Sequence, residues 1–75
     1  MGSSLSRREV EILRHVALGE TSKEIALALG IGERTVNWHI ANAFTKLGAQ
    51  SRAEAVAMAI EQGVVRRRND SRTSP

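Results

Sequence analysis

Residues 32–48 read GERTVNWHIANAFTKLG, and the way side chains fall around this stretch decides the fold. Wound as a helix at about 100° per residue, it gathers Val36, Ile40, Ala43 and Leu47 within roughly 60° of one another, with Phe44 alongside. That is a core-facing stripe. Trp38, the only tryptophan in the chain, falls about 160° from the stripe's centre, in the company of Arg34, Ala41, Asn42 and Thr45. A small domain gains by burying its largest side chain, so a tryptophan turned away from its own core marks the face where a partner is expected. The helix is predicted over Glu33–Leu47, with Gly48 as its stop. Its start is weakly capped, because Gly32 offers no side-chain acceptor to the first-turn amides.

The preceding residues repeat a start-and-stop pattern. Thr21-Ser22-Lys23-Glu24 has the spacing of a capping box and opens a short helix through Ile25, Ala26 and Leu29 that ends at Gly30. Leu29-Gly30-Ile31-Gly32 is then a tight turn with Ile31 buried. Further back, Ser6-Arg7-Arg8-Glu9 is another box, with Leu5 placed as a hydrophobic staple. It begins a helix from Arg7 to about Leu18, carrying Val10, Leu13, Val16 and Ala17 inward and stopped by Gly19. Beyond Gly48 a third box, Ser51-Arg52-Ala53-Glu54, opens a helix to about Gln62 with Gly63 behind it. Its predicted core stripe is Ala53, Val56, Ala57 and Ile60. Ala55, Met58 and Ala59 make it apolar over more of its girth than one contact requires, so a second neighbour is expected.

The fold class is therefore all-α, a four-helix domain over residues 5–65, between a disordered N-terminus (1–4) and a disordered basic tail (66–75). At 75 residues the chain supports one small domain burying about 60% of its unfolded surface, with no cysteine to add a disulfide. The net charge of +3 invites a nucleic-acid reading, but four arginines and one aspartate of residues 66–75 carry all of it. Residues 1–65 are neutral. The longest apolar runs fall far short of the roughly 20 residues that span a membrane, and no signal peptide is visible, so no membrane partner and a cytoplasmic location are expected. His15 and His39 lie on separate helices without cysteine or clustered carboxylates, which points to no metal, no cofactor and no enzyme. His15 reads as a surface residue and His39, on the flank of its helix, as a packed one.

Two helices joined by a short glycine turn, the second longer and carrying an exposed polar and aromatic face, describe a helix-turn-helix, although any small bundle can hold such a pair. More specific are LSRREVEIL at 5–13, Gly19, TSKEIA at 21–26, Leu29, Ile31, TVNWH at 35–39, KLGA at 46–49, Arg52 and AV at 55–56. In these pieces the chain resembles the DNA-binding domain of LuxR-type (GerE- or FixJ-type) bacterial transcription factors over about residues 5–65. TVNWH and KLGAQSRAEAVAMAI look most like the quorum-sensing members.

The resemblance implies double-stranded DNA as partner, helix 3 in the major groove as recognition helix, helix 2 crossing above it, and helix 4 pairing in a homodimer through Ala55, Met58, Ala59 and Gln62. RNA polymerase is a further expected partner, and no small molecule is expected on this domain itself. A base-reading side chain must lie opposite the core stripe and towards the helix start, which leaves Arg34, Asn37, Trp38, Ala41 and Asn42. The family's usual base-facing positions are those held here by Asn37, Trp38 and Ala41. Asn37 has the donor and acceptor for adenine N6 and N7, and Trp38 can pack on a thymine methyl or a sugar. Many family members carry lysine where this chain has Asn37. Thr21, Ser22 and Lys23, at the positive end of helix 2, are the expected phosphate donors, with Thr35, Lys46 and Arg52 around the rim. Each cation taken singly is as often solvated or paired with a neighbouring glutamate. Two other readings stay open: a sigma-factor region 4-like promoter-binding domain, which shares the TSKEIALALGIGERTV pattern but lacks a dimer helix after Gly48, and a helical adaptor that binds protein through its Trp38 face.

Overall fold

The computed structural model describes residues 5–65, and these form four helices: α1 (Arg7–Ala17), α2 (Ser22–Leu29), α3 (Glu33–Leu47) and α4 (Arg52–Glu61). Their positions follow the caps and glycines to within about a residue. The ends expected to be disordered, 1–4 and 66–75, lie outside the described residues.

Local chemistry sets each start. The Ser6 hydroxyl accepts from the Glu9 amide while the Glu9 carboxylate accepts from the Ser6 amide, and Thr21 and Glu24 do the same for α2. These are closed capping boxes. The third is only half closed: Ser51 accepts from the Glu54 amide, but the Glu54 carboxylate takes the Gln50 amide, one residue earlier than a box requires, at 2.6 Å. Gly32 caps α3 with no side-chain bond. Gly30 and Gly48, with φ of 70° and 76°, close α2 and α3 in the left-handed conformation that a side chain would strain.

The core has two lobes that share α1. In one, Ile12 and Val16 meet Ile25 and Ala26 of α2 and Val36 of α3; in the other, Leu13 meets Ala43 and Leu47 of α3, Ala55 and Ala59 of α4, and Val65. Each fully buried large aliphatic side chain stabilises the fold by about 1.5–3 kcal/mol. The first lobe fixes the N-terminal half of α3 against α2, and the second fixes its C-terminal half against α4. As a result α3 is held along its inward stripe and its outward face is free.

Two expected stripes are corrected. In α1 Ile12 is buried beside Leu13 and Val16, whereas Val10 and Ala17 are only half-buried. In α4 the inward residues are Ala55 and Ala59, both 0% exposed, while Ala53 and Ala57 face out with Val56 and Ile60 on the flank. The two alanine pairs are thus exchanged, while Val56 and Ile60 still pack against the core as expected, and Ala55 and Ala59 cannot meet a second subunit. Close approach explains it: these alanines pack in one lobe with Ala43, where a larger side chain would hold α4 away from α3.

Candidate nucleic-acid interface

On the outward side of α3, Arg34, Thr35, Asn37, Trp38 and Ala41 are exposed, and Asn42 is half-buried. Trp38 is 62% exposed, as its place on the wheel requires. With Arg34 and Thr35 it lines an open depression of about 280 Å³. Its indole meets the His39 ring edge-on, with centroids 5.0 Å apart and an interplanar angle of 63°. That contact fixes the indole from one side. His39 is half-buried, in keeping with a packed role, and its Nδ1 is a buried polar atom with no hydrogen-bond partner among the described residues.

The start of α2 lies against this face. The Ser22 hydroxyl donates to Asn37 Oδ1 at 2.5 Å, which joins the two helices at the middle of the candidate surface. Lys23 is exposed beside it. Arg52, on α4, donates from Nη1 to the carbonyl of Glu20 at 3.2 Å, so its guanidinium sits next to the residue that precedes the Thr21 cap. Three of the expected phosphate donors, Thr21, Lys23 and Arg52, therefore converge at one helix N-terminus, where unsatisfied amides and the helix dipole favour an anion, while the Ser22 hydroxyl among them is engaged by Asn37.

Lys46 does not join them. Its Nζ donates at 2.9 Å to Glu9 Oε1, a carboxylate that is 5% exposed, and this tie from α3 to the start of α1 replaces the phosphate role expected of it. Burial on its own would raise the Glu9 pKa, but the Lys46 ammonium and the Ser6 amide on the same carboxylate outweigh it and hold the pKa below the ordinary value. His15 is also no plain surface residue, since its Nδ1 pairs with Glu20 Oε1 at 2.7 Å and both are part-buried. The structure adds Ser22's cross-helix bond and Glu20's backbone acceptor, neither of which a helical wheel of one segment could reveal. Of the expected dimer residues, Met58 is half-buried and Gln62 is exposed at the end of α4.

Short α2, a glycine turn and a longer α3 with a free polar and aromatic face define a helix-turn-helix domain, completed by helices before and after it. A family model described as bacterial regulatory proteins, luxR family, matches residues 3–59. The chain belongs to that family and is its helix-turn-helix DNA-binding domain, a regulatory unit and not an enzyme. It is 43% identical over 63 residues to the transcriptional regulatory protein YdfI of Bacillus subtilis, covering 84% of this chain and 30% of that protein. To the quorum sensing-dependent transcriptional regulator RpaR of Rhodopseudomonas palustris it is 47% identical over 62 residues, covering 83% of this chain and 26% of the relative. The solved structure of the transcription factor GerE superposes with a TM-score of 0.78 at 34% identity, covering 85% of this chain and 96% of that one. The chain spans less than a third of these two curated relatives, but nearly the whole of GerE.

Proposed function

We propose that this chain is the output domain of a bacterial transcription regulator, working in the cytoplasm, that places α3 in the major groove of an inverted-repeat operator. The observation that carries this reading is the pairing of a free α3 face, Arg34, Asn37, Trp38 and Ala41, with a donor-rich α2 N-terminus bonded to it through Ser22 and Asn37. Base edges are read by the first group. Phosphates are held by Thr21, Lys23 and Arg52, with Thr35 at the edge of the depression. Asn42, on the same side of the helix as Trp38 but half-buried, stands at the edge of the base-reading group.

Two copies bind together through α4, using its outward residues Ala53 and Ala57 with half-buried Val56, Met58 and Ile60 at the flanks and exposed Gln62 just past its end, and half-sites lie about one helical turn apart. Small residues on that face permit close helix approach. Regulation then passes to RNA polymerase from the DNA-bound dimer. A fluorescence anisotropy titration with labelled inverted-repeat duplexes tests the reading. Affinity should fall steeply as salt rises, because phosphate-bound cations release counterions; binding indifferent to salt would exclude a phosphate-anchored complex.

A further inference from the structure

The outward face of α3 is tied to α2 at Asn37, through the hydrogen bond from the Ser22 hydroxyl to Asn37 Oδ1. No other hydrogen bond to this amide is present among the described residues. An asparagine amide has an acceptor oxygen and a two-hydrogen donor, and an unrestrained one can turn to offer either. Ser22 is a firm anchor: it is the first residue of α2, half-buried, and follows the Thr21 cap whose box is closed.

Resting on the base-reading role proposed for α3, we infer that Ser22 is a positioning residue that draws Asn37 Oδ1 towards α2 and leaves the Nδ2 amine as the group offered to the groove. Asn37 then reads its base as a donor. The matching chemistry is an acceptor that marks its base on the major-groove edge, guanine O6 or thymine O4; N7 also accepts but is shared by guanine and adenine, so it does not separate them. The two-point adenine contact needs Oδ1 turned to the groove as well, so it gives way. By the same bond the Ser22 hydroxyl proton is spent on Asn37 and is not available to a phosphate, which separates Ser22 from its neighbours Thr21 and Lys23.

The test is selection from a duplex pool with randomised inverted-repeat half-sites, using the 75-residue chain and its Ser22→Ala, Ser22→Thr and Asn37→Asp variants. Melting temperature and affinity for a random duplex are measured alongside. The unsubstituted chain should prefer guanine or thymine at one symmetric position of each half-site. Ser22→Ala should lower that preference about threefold to tenfold, the worth of one hydrogen bond, at unchanged melting temperature and random-duplex affinity. Ser22→Thr, which keeps the hydroxyl, should restore it. Asn37→Asp keeps an acceptor for Ser22 but replaces the amine with oxygen, and should turn the preference towards cytosine, whose N4 donates. Loss at every position together with weaker random-duplex binding would make Ser22 a phosphate contact and overturn the inference, as would a preference for adenine that survives Ser22→Ala. If the unsubstituted chain enriches no sequence at all, the DNA reading itself falls and takes this inference with it.

Discussion

Glu9 is the one charged side chain buried among the described residues, and it serves two elements at once. It closes the capping box of α1 and receives Lys46 from the far end of α3. Its pKa is held below the ordinary 4.5, so the folded state binds this proton less tightly than the unfolded chain does. Stability from the pair is therefore complete at neutral pH and is lost as the pH falls below about 4.5. Glu9→Gln should cost about 1–2 kcal/mol at pH 7, because Lys46 returns part-exposed to water, and should flatten the acid limb of the urea-midpoint profile. An unchanged acid limb would remove Glu9 from this role. On the opposite side of α3 the same scale separates roles. Trp38→Ala should cut discrimination between operator and random DNA by about 1–3 kcal/mol, whereas Lys23→Ala should weaken both alike and lower the salt slope by about one, as competition titrations would show. Equal effects of both substitutions on both DNAs would contradict the division.

At the level of elements, α4 is where reading the sequence and seeing the structure part. Helix starts and stops were legible because they depend on residues three or four apart: Ser6 with Glu9, Thr21 with Glu24, and glycines that alone take positive φ. Which side of α4 faces inward was not. Alanine lies on both faces, so the wheel cannot choose between Ala53/Ala57 and Ala55/Ala59; the choice depends on how closely α4 must approach Ala43 of α3. The outward orientation has separable consequences. Ala59→Leu should overpack the lobe and cost about 1–3 kcal/mol of stability in denaturant unfolding, and Ala57→Glu should leave the unfolding midpoint nearly unchanged while weakening paired binding to two half-sites. The reverse pattern would return α4 to the orientation first expected.

For the whole molecule, the net charge was a poor guide, since the described domain is set in a neutral stretch and its cations do different work. Arg8 pairs with Glu11, Lys46 with Glu9 and Arg52 with the Glu20 carbonyl, while Lys23 and Arg34 have no ion-pair partner among the described residues. What the sequence could show of the site was its face, because that is a property of one helix: Trp38 falls opposite Val36 and Leu47, with Asn37 between them on the flank. What it could not show were contacts between residues far apart in the chain, Ser22 to Asn37 and Glu9 to Lys46, which exist only once α1, α2 and α3 are packed. The central claim is that this assembled face enters the major groove twice. Methylation interference on an inverted-repeat duplex measures that directly, since methyl groups on guanine N7 obstruct the major groove and those on adenine N3 the minor. Binding should be blocked by guanine methylation in two clusters about one helical turn apart. Interference from minor-groove methylation alone, or from neither groove, would contradict it.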